Sequence, residues 1–337
     1  MNFGSGEDYL MHPGGPVDVR TPSVTGPDYM QSWNNLMPRL KKWNVKVVRL
    51  AARFPDAPFT YTGWSMNSVL DYAKLENVVS LLDANGIKVI FDFMHVTSPD
   101  YFGSEAWMNN WVDVANRYKN DTRVVAFEIY NEPSRETWTP EIRAKTTYPS
   151  PYTDIQRALA VCTDRIRATG DNHTIIWPDH MNYQNYNYVY YDHANLRPNI
   201  IQTWHCWLNQ WAIDTYPPDG LGWWEAMKAH IAIFKADCPN IPIQIGEIGG
   251  MQENNALPGG PEIQKAFIVA IVNWCVANNV DVIWWLLSTN HWVAGFADDV
   301  LASTNLPAPP VTTVSSIPIW LIPAVLIGGI AAYMVLK

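Results

Sequence analysis

Along most of the 337-residue chain, short apolar runs rich in β-branched residues alternate with longer stretches whose apolar positions recur at helical spacing. The short runs predict strands at residues 45–50, 87–93, 124–130, 174–177, 200–204, 243–246 and 282–287. The longer ones predict helices at residues 29–43, 70–85, 105–118, 155–169, 222–237 and 262–278, with Gly86 and Gly170 just past two of them as helix stops. Residues 178–199, PDHMNYQNYNYVYYDHANLRPN, read as a long aromatic loop with at most a short helix.

Strand, helix, strand, repeated at intervals of about 25 to 45 residues, implies parallel strands joined by crossover helices that cover the sheet. If residues 1–6 supply a further strand, the count closes an α/β, (β/α)8 TIM barrel. No eighth outer helix stands out after Ser288, so the barrel is expected to be trimmed at both ends. A doubly wound open sheet is the rival. It is weakened because no Gly-rich phosphate loop follows any strand.

The C-terminal end changes character. After a domain over residues 1–303, residues 304–316 are rich in Pro, Thr and Ser and predict an extended linker. Residues 317–336 carry no charge, and about 20 helical residues would span roughly 30 Å of hydrocarbon. The expectation is a transmembrane helix that anchors the chain in a membrane; a buried core helix is the alternative. Lys337 directly after it suggests a cytoplasmic tail, with the large domain outside at the cell surface. Two glycosylation-type sequons, Asn120-Asp121-Thr122 and Asn172-His173-Thr174, agree with that placement. The opening residues MNFGSGEDYLMHPGGP have neither a basic nor an apolar signal region. Either a signal has been lost or the tail directs insertion, and tail-first insertion would leave the domain in the cytoplasm.

Composition narrows the ligand. A net charge of -9, a pI near 5.3 and the lack of any Lys/Arg run argue against nucleic acid as a partner. Aromatic residues reach 13%, with 17 Trp, while charged residues make up only 16%, which suits a neutral, sugar-like ligand. The low charge content also predicts an acidic external medium. Cys162, Cys206, Cys238 and Cys275 form no C-x-x-C pair, so thiolate zinc and thioredoxin-like chemistry are poorly supported. Free buried thiols are the default reading, with a Cys238–Cys275 disulfide as the alternative.

In a parallel barrel the carboxyl ends of the strands converge on one face, where catalysis is built. Those ends carry Arg49, His95, Asn131 with Glu132, His205, Glu247, and Trp284 with Trp285. Pro133 cannot continue the ladder and holds Glu132 at the rim. Two carboxylates from separate strands, in a cleft lined by tryptophans, suit glycosidic bond cleavage: one protonated to donate to the leaving oxygen, one ionised to attack or to activate water. Taken alone, each Glu could be a salt bridge or a helix cap, each His a satisfied polar residue, and the Trp pair barrel filling. A metal centre of the amidohydrolase type would use His95, His205, Glu132 and Glu247, but the expected H-x-H on the first strand is missing, and no metal is expected.

The ordered set VVRL, FDFMH, YNEP, TWHCW, IGEIGG and WWLLS, over roughly residues 45–290, resembles glycoside hydrolase family 5, the cellulase-type retaining β-glycanases. The resemblance implies a (β/α)8 barrel with Glu132 as acid/base and Glu247 as nucleophile, their carboxyl groups about 5 to 5.5 Å apart. It implies that Asn131 binds the sugar 2-hydroxyl, that Arg49 keeps Glu247 ionised, that His95 and His205 orient sugar and carboxylates, and that Trp284 or Trp285 forms a stacking floor. It further implies a β-linked polysaccharide substrate and no cofactor. His95 stands one residue later than the family's Asp-x-His, and Trp207 replaces the tyrosine that many members carry two residues after His205. The implied activity is endo-β-1,4-glucanase, with β-mannanase as the enzymatic alternative and a non-catalytic surface polysaccharide-binding protein as the alternative of another class.

Overall fold

Seven strands pair in chain order, each parallel to the last: β1 (Val47–Ala51), β2 (Lys88–Asp92), β3 (Val124–Glu128), β4 (Thr174–Trp177), β5 (Ile200–Leu208), β6 (Ile243–Gly250) and β7 (Asp281–Leu286). They belong to a computed structural model that describes residues 29–42, 46–52, 54–57, 70–93, 101–131, 151–178, 197–208, 210–216, 221–250, 260–286, 302–304, 323–327 and 330–336. Residues 1–6, expected as a first strand, and the aromatic segment 179–196 lie outside these residues.

Helices fill the crossovers: α1 (Tyr29–Lys42), α2 (Tyr72–Asp83), α3 (Glu105–Tyr118), α4 (Pro151–Ala168), the short α5 (Gln210–Thr215), α6 (Leu221–Asp237) and α7 (Gly260–Asn278). Their starts are written locally. The Asp71 side chain accepts from the backbone N–H of Ala73 and Lys74 ahead of α2, and Ser104 accepts from Trp107 N–H ahead of α3. Gly86 and Gly170 follow α2 and α4 with φ of 74° and 85°, a left-handed conformation that glycine adopts without steric cost and that turns the chain into β2 and β4.

Strand alternation splits the buried residues into two populations. Phe91 of β2, Phe93 just past its end and Phe127 of β3 face the helices and meet Trp111 and Tyr118 of α3; Phe91 and Phe93 stack at 4.7 Å, and Phe93 stacks on Trp111 at 5.8 Å. Phe54 closes this seam edge-on to Trp111 at 5.4 Å. Trp177 points out from β4 and donates to Thr163 Oγ1 of α4 at 3.0 Å, so its indole N–H is satisfied inside the core. The opposite faces carry Arg49, Asp92, Glu128 and His205 into the barrel.

The wall is closed by residues expected to be a membrane helix. Pro323–Ile327 (β8) runs parallel to β7, and Ile330–Leu336 (β9) runs antiparallel to β8, β7 and β1, completing a closed, TIM-barrel-like wall. Where a transmembrane helix was expected over residues 317–336, the described residues 323–327 and 330–336 are strands, and no described helix is long and apolar enough to cross a membrane. The physical reason lies in the segment itself. An apolar run has no periodicity to separate a helix from a fully buried strand, and Gly328-Gly329 between Ile327 and Ile330 is a hairpin-forming pair.

All four cysteines are buried free thiols, so the Cys238–Cys275 pairing is absent. Cys275 on α7 instead faces Cys206 of β5, close enough for the two thiols to influence each other electrostatically.

Candidate active site

The site is built on the ends of β1, β2, β3, β5 and β6. At its centre the buried guanidinium of Arg49 donates through Nε to Glu128 Oε2 at 2.5 Å and through Nη2 to Glu128 Oε1. Nη2 also lies 3.0 Å from Asp92 Oδ2 and donates to Asn131 Oδ1 at 2.7 Å. Nη1 donates to Glu247 Oε1 at 2.9 Å, and the other oxygen of Glu247 is 3.4 Å from His205 Nδ1. Five side chains from four strands and their ends are thus drawn onto one cation or onto the carboxylate it holds.

A bulge aims Glu247. Trp204 pairs with Ile245 but His205 pairs with Glu247, so Gly246 is an extra residue in β6. Such an insertion re-aims the side chain that follows it. Glycine is required by contact: a Cβ on Gly246 would lie 2.0 Å from Thr203 Oγ1 and 3.1 Å from His205 Nε2. A similar slip between β2 and β3 leaves Val125 as the extra residue, turned outward and 36% exposed.

The electrostatics follow from burial. Arg49, Asp92 and Glu128 are fully buried and Glu247 is 2% exposed, so one guanidinium faces three carboxyl groups in a region of low dielectric. Burial pushes the Glu128 carboxyl up to about 8; Arg49 opposes the rise, and the neighbouring charges of Asp92 and Glu247 reinforce it.

Of the residues singled out in the sequence, the structure brings together Arg49, Asn131, His205 and Glu247. Trp207 is buried two positions beyond His205 on β5, on the same strand face. Trp284 and Trp285 lie in β7 opposite Pro323 and Ala324 of β8, with their side chains outside the described set. Glu132 and His95 also lie outside the described residues. Sequence reading missed Asp92 and Glu128. The signal was present, since an acidic residue inside an otherwise apolar strand needs a buried partner, and Arg49 is the partner. Among the described residues no group of three or more His, Cys, Asp and Glu side chains is placed to hold a metal ion.

A closed β/α wall with carboxylates gathered around an arginine at the strand ends has the architecture of a barrel hydrolase. The fold recurs in endoglucanases from Thermotoga maritima (TM-score 0.56, 18% identity, covering 76% of this chain and 83% of that one) and Pseudomonas stutzeri (0.54, 18%, 84% and 83%). It recurs also in an endocellulase from Pyrococcus horikoshii in complex with cellotetraose (0.55, 16%, 80% and 86%). Endoglucanase B of Acetivibrio thermocellus is 30% identical over 104 residues, a match that spans 27% of this chain and only 18% of that protein. The profile of the cellulase family, glycosyl hydrolase family 5, matches residues 11–291. The chain belongs to that family and is a glycoside hydrolase.

Proposed function

We propose that the protein is a retaining endo-β-1,4-glucanase that cleaves β-glucan or cellulose by double displacement. The observation that carries this reading is Glu247 on the end of β6, nearly buried, with Arg49 Nη1 donating to one of its oxygens at 2.9 Å. A fixed positive charge favours the ionised form that a nucleophile needs. The names of the relatives support the substrate class: endoglucanases in four organisms, one solved with cellotetraose.

In the first step the Glu247 carboxylate attacks the anomeric carbon. The glycosidic C–O bond breaks as Glu132 gives its proton to the departing oxygen. In the second, Glu132 takes a proton from water, the resulting oxygen attacks the anomeric carbon, and Glu247 leaves as a carboxylate. Asn131 already gives its carbonyl oxygen to Arg49, which reserves its N–H donors for the sugar 2-hydroxyl. His205, beside Glu247, orients the nucleophile, and Trp207, Trp284 and Trp285, with His95, are assigned to the sugar-binding surface. The reading needs no cofactor. It also places the barrel outside the cell, where polymeric glucan is met; Asn120 and Asn172, which open the two sequons, are both exposed.

Reducing-sugar release from carboxymethylcellulose, barley β-glucan and mannan by the full chain tests the proposal, with Glu247→Ala as the comparison. Glucan cleavage that vanishes in the variant, with the β-anomer formed first by NMR, is the expected result. Mannan cleavage would move the substrate to β-mannan. Tight binding of these polymers without turnover would replace the enzyme reading with a polysaccharide-binding one.

A further inference from the structure

We infer that Glu128 is a positioning residue, whose carboxylate locks the Arg49 guanidinium side-on so that Nη1 is left facing Glu247. This rests on Glu247 being the nucleophile and deepens that assignment. Three observations carry it. The pairing is two-pronged: Nε and Nη2 of Arg49 both donate to Glu128, one to each oxygen, and a planar guanidinium held along one edge has its remaining terminal nitrogen fixed in direction. That nitrogen is the one that meets Glu247 at 2.9 Å. All three side chains come from different strands, β1, β3 and β6, so no local backbone geometry fixes them relative to one another and the side-chain bonds must do so.

Asp92 and Asn131 complete the lock. Both approach Nη2, at 3.0 and 2.7 Å, which adds to the hold on the edge that Glu128 occupies and not to the Nη1 side. The burial of Glu128 excludes direct contact with a polymer in the cleft, so its effect must pass through Arg49. Of the groups that face it, Arg49, Asp92 and Glu247, only Arg49 favours the ionised form in which both oxygens accept, so the two-pronged bond works against the rise that burial imposes.

Glu128→Gln tests this while keeping shape. An amide has only one acceptor oxygen, so its NH2 would oppose either Nε–H or an Nη2–H and displace the guanidinium. The expected results are a crystal structure in which Nη1 no longer reaches Glu247 Oε1, and a fall in kcat on barley β-glucan of roughly tenfold to hundredfold with KM within about twofold, as misplacement by about 1 Å costs. On an Arg49→Lys background, which lacks the fork, the same substitution should cost nothing further, because Glu128 would have no edge to hold. Glu128→Ala repeats the structural arm where a donor–donor clash is absent. A folded Glu128→Gln variant with the Arg49–Glu247 contact intact, or an equal loss of kcat on the Arg49→Lys background, overturns the inference. A wild type that cleaves no glucan would sink the proposed function instead, and the crystal structures would still decide the role of Glu128.

Discussion

The barrel carries two clusters in which an arginine gathers carboxylates, one at each end of the strands, and the two behave in opposite ways. At the carboxyl ends, Arg49, Asp92, Glu128 and Glu247 are almost wholly buried. At the amino ends, Arg123 lies just before β3 and holds Asp121 at 2.6 Å and Glu76 at 2.5 Å, with side chains 26%, 17% and 44% exposed. In the exposed cluster the Arg123 hydrogen bond draws Asp121 below its ordinary range, outweighing a modest burial effect. In the buried one, desolvation wins and Glu128 rises. The same residue types therefore give a clasp with a lowered carboxyl pKa where water reaches them and a raised one where it does not, which matches the division of a β/α barrel into a stability face and a reaction face.

Removing each arginine tests this difference most strongly. Arg49→Ala strands buried carboxylates and should cost about 3–5 kcal/mol in urea unfolding together with nearly all glucan cleavage. Arg123→Ala, removing a largely solvated partner, should stay within about 1 kcal/mol and leave kcat unchanged. Equal losses from the two would break the comparison.

Between these extremes stands Gly246→Ala. Its Cβ would collide with Thr203 Oγ1, so overpacking of about 1–3 kcal/mol is expected, with reduced activity because Glu247 is the next residue. Thr203→Ala in the same chain should recover part of the stability; no recovery would show that the bulge, not the contact, requires glycine.

pH separates the clusters more finely. Glu128 binds its proton more tightly folded than unfolded, so its contribution to stability falls as pH rises from about 4.5 to about 8 and is constant beyond. Glu128→Gln should flatten that slope in unfolding midpoints measured across the range, and an unchanged slope would assign it to another group. Asp121 has the opposite sign: its contribution is present above 3.8 and lost as pH falls through its lowered folded value.

The smallest effect belongs to His173, beside the amino-end cluster. Its Nδ1 meets Asp171 Oδ2 at 2.7 Å and its Nε2 meets the Asp121 carbonyl at 3.2 Å, so both nitrogens face oxygens and both act as N–H donors in the imidazolium. Burial pushes its pKa down, but the bonds and charges of Asp171 and Asp121 outweigh this and raise it. The stabilisation is complete below 6.5 and fades as pH rises through the folded value, and His173→Gln should abolish that fade while leaving kcat unaltered.

How much of this could be read from the sequence depended on whether one physical signal dominated locally. Residues 105–118 have a capping Ser104 and a clean apolar face, and α3 occupies the expected span. β5 and β6 run four residues past their expected ends, to Leu208 and Gly250, because the inward positions His205 and Trp207 and the glycines around Glu247 look like loop chemistry in one dimension. Arg49, Asn131, His205 and Glu247 were legible from their strand ends. Glu128 was not, since the strand was expected to run to residue 130 and attention to that end passes over a carboxylate two residues earlier, where β3 stops. For residues 317–336 the signal was ambiguous for a related reason: uniform hydrophobicity records that a segment avoids water but not whether a helix or a strand does so, and the described part of it is strand.

The closure of the wall makes completion of the fold a late event. Val48 of β1 takes Met334 of β9 as its outer neighbour, across nearly the whole described chain. At typical elongation rates the first partner would wait roughly 15 to 60 s for the second to be made. Through that interval β1 presents an open edge, joined near its end by β7, and such edges are the templates on which other chains add strands. The vulnerability of this protein to aggregation would then be concentrated in its synthesis, before the last two strands arrive, and much less in its finished state.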